Sequence, residues 1–591
     1  MKKTVLFLFS LNLACFLYTE SANATPYHKF VETGSIDVSK DLIDLGISNK
    51  NLSPNDKSTD AGPLIEAAVQ YAVSHKISKI IFPSGDYYFN SVRNGAHLYI
   101  NNINNIALLG KPANFIFGSR KAKGVLINNC NKTGLENISL DYAGDLPFTS
   151  AIVGSVDPTT KAISFSSVTG RPLSELENKG KSSVKIFILR KSGNTLKSIT
   201  TRMTPVPGDL NNNSITVQEK DLTNLQKIKV GDIVSISERS YAGNNALNFV
   251  TYPPNLNEGN FAKNVTVYSS PAVGIAALWQ KNLTYSDVRV QAKQGREQYI
   301  STNADGVNIG NGGAGNKIIN SYITLSGDDG ISFSTGIVGT VINSDNKSVT
   351  ATLRYNLKQG QSITFADPAD LHEYGSSSIE QITTLTKGPL PSGQFKQYSF
   401  SLDTAIDGIK PGAHIFLAVT DRADGTLIQN DTIVQTFSRG IYFAGVTGTR
   451  IQSNVIKETT SCAIYGQRSN EGGDGGFKSP ENTNTTIVNN QIVNAFAWGY
   501  AGQRGAIEFS ITNGGQDASS VNNQVTIKDN DVSFAVDNGA HHVGIYIANT
   551  KNFSLSNNKL LGRKGDGSVV NLSADRKMMS GPKAIAADVA Q

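Results

Sequence analysis

A short pattern recurs along most of the chain and limits the possible folds more than any other feature of the sequence. In each copy a few alternating apolar residues run into Asn or Ser and are followed by another apolar pair. Recurrence at irregular intervals is typical of stacked coils, where Asn side chains can stack at the corners. The copies lie at 264–267, 282–285, 317–320, 450–454, 486–490, 525–530 and 553–558.

This repeat predicts an all-β fold, a right-handed parallel β-helix. A succession of antiparallel hairpins is the alternative, but no two-residue Asn-Gly or Asp-Gly turn, as hairpins favour, directly joins one of these strands to the next. The 55 glycines, together with abundant Asn, Ser and Thr, indicate many turns between short strands.

A helix is expected before the coils begin. Asp60 is suited to cap its first turn, Pro63 follows early, and apolar residues then recur at helical spacing through Val73. Two short strands around a Pro/Gly turn are expected next, at 79–89. Because a solenoid must hide its terminal core and its unpaired strand edge, this helix is predicted to cap the N-terminal end.

Two stretches break the repeat and resemble each other. They open with similar segments at 152–156 and 337–341, and they close on a Lys-x-Gly pattern before a strand at 229–234 and 410–415. The two openings and the two closings are separated by nearly the same number of residues. This suggests two copies of one small β-barrel module, each inserted at a corner of a coil.

The first residues predict export. Lys2 and Lys3 precede an apolar run at 5–18, and small residues follow up to Ala24, where a signal peptidase would cut. The mature protein is therefore expected to be periplasmic or secreted. A lipid anchor on Cys15 is the weaker alternative, because the apolar run continues past that cysteine.

The expected organisation combines these boundaries. It comprises a signal peptide at 1–24, an N-terminal cap with the first coils at 25–150, module 1 at 151–240, central coils at 241–336, module 2 at 337–430, and C-terminal coils with a tail at 431–591.

Composition and charge argue against several other classes of protein. Only Cys130 and Cys462 would remain after cleavage, so two buried thiols are expected and no disulfide framework. A net charge of +6 is mild for this length and dispersed, which argues against nucleic-acid binding. No later apolar stretch approaches the ~20 residues needed to cross a bilayer, so no membrane span is expected.

Acidic residues cluster in the central coils. Asp305 lies in an Asn-x-Asp-Gly motif, and Asp328 and Asp329 follow about one coil later in a Gly-Asp-Asp-Gly motif. Adjacent coils stack at ~4.8 Å, so the three carboxylates would share a small patch. Charge repulsion there would retain a proton on at least one of them, as acid/base hydrolysis of a glycosidic bond requires.

Two simpler interpretations of these motifs compete with catalysis. Asp-Gly pairs commonly form turns, and a cluster of aspartates in an exported solenoid can bind Ca²⁺. The acids lack the short alternating spacing of a calcium loop, so no metal is expected and the joint pattern favours catalysis. The flanking Gly306, Gly327 and Gly330 are expected to let a sugar ring approach the backbone.

The two Asp motifs and their neighbours resemble a known group of enzymes. Asn-x-Asp-Gly followed by Gly-Asp-Asp in a β-helix is similar to the polygalacturonase-like clan, and within it the chain most resembles glycoside hydrolase family 110. Polygalacturonases are the main rival, but the Gly-His-Gly and Arg-Ile-Lys motifs that they carry are absent here. The segments that carry the resemblance lie at 140–142, 147–149, 295–296, 301–306, 327–329 and 438–441.

This resemblance implies an inverting exo-α-galactosidase that removes terminal α-1,3-linked galactose from an oligosaccharide or polysaccharide without an organic cofactor. Asp305, Asp328 and Asp329 would be its catalytic residues, with carboxyl groups ~6.5–9.5 Å apart across the cleft. Family members usually have an Asn and a His after the Gly-Asp-Asp motif, where this chain has 332–336. That difference bears on the identity of the sugar more than on the reaction.

Six further side chains are candidates for holding the sugar, and each has a simpler alternative. An arginine can neutralise a neighbouring acid, a tryptophan can pack between coils, and a histidine beside glycine can lie in an exposed loop. The glutamate stands between apolar strand residues late in the chain, from where it could reach the same cleft. The candidates are Arg296, Asn303, Arg439, Trp498, Glu508 and His542.

Other functions on this scaffold remain open. A polygalacturonase-like hydrolase of another glycan would share the acids, and a catalytically silent carbohydrate-binding β-helix would bind glycans without releasing sugar. A polysaccharide lyase would need a basic residue and usually Ca²⁺ at the site. The sequence around Asp305 is poor in lysine, which argues against the lyase.

Overall fold

The computed structural model describes residues 32–176, 184–192, 195–198, 203–211, 213–238, 243–251, 256–368, 372–385, 396–418, 425–469, 479–497, 505–512, 522–534, 543–547, 550–563 and 569–571. The predicted signal peptide at 1–24 lies outside these residues. Among the described residues, no helix is both long and apolar enough to cross a membrane.

The chain is an all-β, right-handed parallel β-helix, as the repeat predicted, and its coils have three faces. Two faces belong to one 21-stranded sheet, in which two parallel ladders run side by side. That sheet contains β1 (Ser35–Asp37), β2 (Lys79–Phe89), β4 (Ala107–Phe117), β6 (Gly134–Asp141), β16 (Phe261–Lys263), β17 (Thr266–Val267), β20 (Thr284–Ser286), β21 (Arg289–Val290), β23 (Lys317–Ile319), β24 (Tyr322–Thr324), β32 (Leu427–Gln429), β33 (Thr432–Val434), β35 (Arg450–Gln452), β36 (Val455–Lys457), β38 (Thr483–Val488), β39 (Gln491–Val493), β41 (Asn522–Lys528), β42 (Asp531–Ser533), β44 (Thr550–Ser556), β45 (Lys559–Arg563) and β46 (Val569–Asn571).

The third face is a ten-stranded parallel sheet. It contains β3 (Ala96–Asn101), β5 (Lys123–Asn128), β14 (Leu247–Val250), β18 (Ile275–Leu278), β22 (Val307–Gly310), β25 (Ile331–Ser334), β34 (Ile441–Ala444), β37 (Ile464–Ser469), β40 (Gly505–Thr512) and β43 (Val543–Ile547). A separate pair, β15 (Asn257–Glu258) and β19 (Gln280–Lys281), lies at the corner after this sheet.

Apolar side chains stack in rows inside the coils and form one continuous core. Register places Tyr285 on Ile318, Ile318 on Ile428 and Ile428 on Ile451, and all four side chains are fully buried. Burying such a side chain contributes about 1.5–3 kcal/mol, so the rows fix the register of each coil on the next.

The recurring Asn has two separate structural causes at the corner between the two ladders. The first residue of the corner has a positive φ, which Asn tolerates better than most residues, as at Asn430 (φ 57) and Asn489 (φ 56). The second residue points inward, and its side-chain oxygen accepts a backbone N–H from the preceding coil. We call this second stack the asparagine ladder; it consists of Asp431, Asn454, Asn490, Asn530 and Asn558.

The N-terminal helix is α2 (Ala61–Ser74), and its cap is as predicted: the Asp60 side chain accepts a hydrogen bond from the Gly62 N–H. It packs on β2 and β3, with Ile65 and Val69 buried in the core of the β-helix. Residues 79–89 form one continuous strand and not the two that were expected, because they pair with β4 on both sides of the Pro/Gly turn. The other helices are α1 (Asp41–Asp44), α3 (Leu222–Leu225) and the 3₁₀ turns Leu173–Glu175 and Glu219–Asp221.

Module 1 is inserted between β6 and β14, at the corner between the second ladder and the ten-stranded sheet. It is a curved antiparallel sheet of seven strands. A β-bridge joins Met203, next to one edge strand of the sheet, to Ile186, on a strand close to the opposite edge. The sheet therefore curls towards a closed barrel. Its strands are β7 (Phe148–Asp157), β8 (Ala162–Gly170), β9 (Val184–Ser192), β10 (Thr195–Ser198), β11 (Pro205–Asn211), β12 (Ser214–Val217) and β13 (Ile233–Glu238).

Module 2 is a closed six-stranded barrel between β25 and β32, at the corner where the ten-stranded sheet returns to the first ladder. Trp279 of the β-helix is 1% exposed and packs into the barrel core against Tyr355. The strands are β26 (Gly339–Ser344), β27 (Ser348–Leu353), β28 (Ser362–Ala366), β29 (Glu373–Thr384), β30 (Lys396–Leu402) and β31 (His414–Leu417).

Both remaining cysteines are unpaired and buried, as the sequence indicated. Burial raises the pKa of Cys130 to about 11, and burial together with the nearby Glu508 raises the pKa of Cys462 well above its ordinary range. Both therefore remain protonated thiols that fill the core.

Candidate functional site

Asp305, Asp328 and Asp329 lie together at the corner that leads into the ten-stranded sheet. Register between β22 and β25 makes Asp305 and Asp329 equivalent positions in successive coils, and the Gly306 N–H donates to the Asp329 carbonyl at 2.9 Å. One carboxylate oxygen from each acid lies within 4.8 Å of the others. Asp328 and Asp329 both reach this patch because they lie in the bend between β24 and β25 and not within a strand.

The glycines around the acids serve the stacking of the coils. A Cβ on Gly327 would lie 2.4 Å from the Thr302 carbonyl oxygen, and one on Gly330 would lie 2.7 Å from the Gly440 carbonyl oxygen. A Cβ on Gly306 would lie 2.7 Å from the Gly330 carbonyl oxygen. The expectation that these glycines open the backbone to a sugar is therefore wrong, since each faces a neighbouring coil.

Asp329 is held by Arg439, the residue at the equivalent position one coil further on. The Arg439 Nε donates to Oδ1 and Nη2 donates to Oδ2, both at 2.8 Å, and the Arg439 backbone N–H donates to Oδ1 at 3.0 Å. The guanidinium stacks 4.1 Å from the centre of the Tyr442 ring. Burial opposes the charge of Arg439, but Asp329 outweighs it and raises the pKa of the guanidinium, which stays charged.

Asp305 is held by side chains of the ten-stranded sheet. Its Oδ2 accepts hydrogen bonds from Asn308 Nδ2 at 3.0 Å and from Ser332 Oγ at 2.6 Å. Its Oδ1 accepts the Asp329 backbone N–H at 3.3 Å. Ser332 is one of the residues that stand where family 110 usually has other side chains, so the departure from that pattern falls next to a catalytic candidate.

Asp328 faces a lysine that sequence reasoning did not find. Lys185 Nζ, on strand β9 of module 1, lies 3.7 Å from Asp328 Oδ2, and the lysine side chain is 9% exposed. The argument against a basic residue at the site was therefore wrong, because it considered only residues near Asp305 in the sequence. A lysine on a strand more than a hundred residues away carries no local signal of this contact.

The three carboxylates thus have two cations beside them, Arg439 from the next coil and Lys185 from module 1. The acids are close enough to share a divalent cation, but the two basic side chains already supply positive charge. The arrangement combines carboxylates held by hydrogen-bond donors with a third carboxyl beside an ammonium group. Such a set can accept a proton from water at one place and donate a proton at another.

Module 1 forms one wall of this site. Its face packs on the corner through Phe187, whose ring centre lies 4.2 Å from that of Phe437, together with Ile300 and Leu325. Asn303 also joins the two parts, since its Nδ2 donates to the Glu238 carbonyl at the end of β13 at 3.0 Å. Asn303 is fully buried, so it supports the wall and is not exposed to a sugar.

Arg296 does not reach the three acids. Its Nη1 and Nη2 donate to the two oxygens of Asp141 at 3.1 and 3.0 Å, and Lys293 Nζ lies 3.2 Å from the same carboxylate. The simpler alternative for Arg296, neutralising a neighbouring acid, matches these contacts.

Glu508 lies in the outward row of the ten-stranded sheet, three coils beyond Ser332 through Tyr442 and Tyr465. At ~4.8 Å per coil this is roughly 14 Å away. Its Oε2 accepts the Gly505 N–H at 3.1 Å, Ser510 donates to Oε1 at 2.8 Å, and the side chain is 2% exposed. The expectation that Glu508 reaches the cleft is not met. Trp498 and His542 lie outside the described residues.

No family model matches the chain, and no curated protein matches it. Among solved structures it is similar to the A-module of a mannuronan C-5 epimerase from Azotobacter vinelandii, with TM-score 0.39 and 10% identity over 85% of this chain and 91% of that chain. It is similar to the surface adhesin PfbA of Streptococcus pneumoniae, with TM-score 0.38 and 10% identity over 89% and 95% of the two chains. It is also similar to a family 28 exopolygalacturonase of Yersinia enterocolitica, with TM-score 0.35 and 12% identity over 91% and 80%. At these scores the likenesses carry no argument about activity.

Proposed function

We propose that the protein is an exported glycoside hydrolase that uses Asp305, Asp328 and Asp329 to remove terminal α-linked galactose from a glycan. The observation that carries the proposal is the patch of three carboxylates within 4.8 Å, flanked by two cations, at the corner of successive coils. The choice of galactose and the export rest on the sequence resemblance and on the predicted signal peptide.

We infer different roles for the three acids from their contacts. Asp305 and Asp329 accept hydrogen bonds at both oxygens, which fixes their orientation, and we assign to them the positioning of the water molecule and the uptake of its proton. We assign the proton donor to Asp328, on which two neighbouring carboxylates favour the protonated form and Lys185 favours the carboxylate that is left after donation. In the reaction Asp328 gives its proton to the glycosidic oxygen, the bond from the anomeric carbon to that oxygen breaks, and water adds to the anomeric carbon.

The spacing of the acids bears on the stereochemical outcome. The carboxylate oxygens lie closer together than the ~6.5–9.5 Å between carboxyl groups that an inverting pair was expected to show. We nevertheless propose inversion, because the family that the sequence resembles consists of inverting enzymes. NMR of the first-formed product distinguishes the outcomes, and a retained configuration would refute this part.

Hydrolysis is tested with aryl α-galactosides and α-1,3-linked galactose oligosaccharides. Asp305→Asn, Asp328→Asn and Asp329→Asn should each lower kcat on a phenyl galactoside by on the order of 10² or more. Asp287→Asn is a matched control, since Asp287 is an exposed corner residue of the same β-helix. If all three variants turn over substrate like the wild type, the catalytic residues are elsewhere.

The proton donor is identified by varying the leaving group. A 2,4-dinitrophenolate leaves without a proton, whereas a phenolate needs one, so Asp328→Asn should hydrolyse the dinitrophenyl galactoside far better than the phenyl galactoside. Asp305→Asn and Asp329→Asn should be impaired on both substrates. An equal loss on both substrates for Asp328→Asn would show that Asp328 is not the donor.

Lys185 also favours a second candidate, a polysaccharide lyase. Beside the acids a lysine could take part in removing a proton from a uronic acid, whose product would be unsaturated and absorb ultraviolet light. The same preparation should therefore be offered uronate polymers. Absorbance that rises without new reducing ends from galactosides would favour the lyase, and binding without release of any product would favour a silent carbohydrate-binding protein.

A further inference from the structure

Module 1 contributes a charged side chain to the site. Lys185 lies near the start of β9, and its Nζ is 3.7 Å from Asp328 Oδ2. Successive residues of a strand face opposite sides, so Lys185 and Phe187 both face the β-helix, while Ile186 points into the core of the module.

The position of Lys185 is fixed from three directions. Strand β13 pairs along β9, with Ser237 opposite Lys185 and Ser235 opposite Phe187. Phe187 packs on Phe437 of the β-helix, and the end of β13 is tied to Asn303. The backbone at Lys185 therefore cannot move away from the acids without undocking the module.

The lysine end of this pair is largely shielded from water, while the Asp328 side chain is 15% exposed. Ser235 and Ser237 are fully buried, and Lys185 as a whole is 7% exposed. A charge pair shielded from water interacts more strongly than the same pair at the surface. Asp305 and Asp329 also lie beside Asp328, and Asp329 is paired with Arg439.

We propose that Lys185 is a positioning residue for the proton donor Asp328, and that module 1 is therefore a part of the active site and not an independent binding module. This inference rests on the proposed function. When Asp328 gives its proton to the leaving oxygen it becomes a carboxylate, and the ammonium group beside it stabilises the charge that forms. The proton taken from water goes to Asp305 or Asp329, so charge and protons balance.

The test is Lys185→Met on two galactosides that differ in the leaving group. Lys185 is proposed to assist only the donation of the proton by Asp328. The kcat on the phenyl galactoside should therefore fall by on the order of tenfold to a hundredfold, with little change for the dinitrophenyl galactoside. KM should change little, because Lys185 is buried against an acid and not against the sugar. Lys185→Arg should recover most of the loss, since it restores a cation.

Lys161→Met is the matched control, because Lys161 makes an ion pair with Glu219 on the surface of the same module. It should leave both substrates unaffected. Thermal melting of each variant reports whether module 1 stays folded. If Lys185→Met does not fold, Lys185→Gln, which keeps a polar side chain without the charge, replaces it on the same two substrates.

Three results would overturn the inference: equal losses on both substrates, a change confined to KM, or wild-type kinetics for Lys185→Met. Failure of the proposed function is separately visible. The proposed function fails if the wild type hydrolyses no glycoside or if Asp328→Asn is fully active on the phenyl substrate, whereas this inference alone fails if Asp328→Asn is defective and Lys185→Met is not.

Discussion

Two corners of the β-helix carry stacks of polar side chains, and the stacks differ in what those side chains contact. At the site corner, Asp305, Asp329 and Arg439 occupy equivalent positions in successive coils. At the ladder corner, Asp431 and Asn454 begin the asparagine ladder. The repeat distance is the same ~4.8 Å in both stacks.

The partners of each oxygen separate the two corners. In the ladder a side-chain oxygen accepts a backbone N–H of the preceding coil, as Asn454 Oδ1 does from Asp431 at 2.9 Å. At the site, Asp305 and Asp329 also accept one backbone N–H each, from the following coil, but their other hydrogen bonds come from side chains, and the three carboxylates lie beside one another and two cations. Stacked polar residues thus hold a solenoid together where most of their hydrogen bonds are made with the backbone. They are available for chemistry where side chains are left facing each other.

Removing Arg439 should have the largest effect. Arg439→Met leaves Asp329 as a buried charge without its ion pair, which is expected to cost about 3–5 kcal/mol of unfolding free energy and to lower kcat/KM by on the order of 10² or more. Urea unfolding and kinetics measure both quantities.

The double variant Arg439→Met with Asp329→Asn sharpens this result. It restores neutrality, so stability should recover while activity stays low. Recovery of activity would contradict a catalytic role for Asp329.

A change within the ladder should act on stability alone. Asn490→Ala removes the acceptor of the Asn454 backbone N–H and a donor to the Ile451 carbonyl, both buried. At 1–3 kcal/mol for each orphaned group, the loss should be about 3 kcal/mol in unfolding free energy. The kcat of the folded variant should equal that of the wild type. A fall in kcat without a fall in stability would break the distinction between the corners.

Asp431 provides a stabilising prediction. Burial raises the pKa of Asp431 well above its ordinary value, and its Oδ2 has no hydrogen-bond partner in the described part of the chain. The unfolded chain loses this proton near pH 4 and the folded protein keeps it, so wild-type stability falls as the pH rises above about 4.

Asp431→Asn should therefore be more stable than the wild type by about 1–2 kcal/mol at pH 7, with the gain fading towards pH 4. Its amide can donate to the preceding coil, as Asn454 donates to the Ile428 carbonyl. Melting temperatures of the variant and the wild type, measured between pH 4 and pH 7, test this prediction. A gain that is equal at pH 4 and pH 7 would show that the proton plays no part.

The smallest expected effect is that of metal removal. Lys185 and Arg439 already balance much of the charge at the site corner, so dialysis against EDTA should leave hydrolysis unchanged. Activity that is lost and then restored by Ca²⁺ would instead assign the three acids to a cation site.

The sequence by itself determined the features that repeat. Apolar rows, corner asparagines and a helix capped by Asp60 each depend on residues close together in the chain, so their pattern can be read locally. The same periodicity brought Asp305 within one coil of Asp328 and Asp329. It did not reveal that corner asparagines serve two purposes. Asn489 is needed for its positive φ and Asn490 for its ladder hydrogen bonds, but both are simply asparagines in the sequence.

Only the tertiary structure decided which side chains meet across the inserted modules and between corners. Lys185 reaches Asp328 because a whole module folds back on the β-helix, Arg296 meets Asp141 instead of the acids, and Glu508 lies three coils from Ser332. The flanking glycines are needed because neighbouring coils pack closely against them, and not because a substrate does. Such contacts join residues that are far apart in the chain, and their energy depends on burial and orientation that no local pattern records.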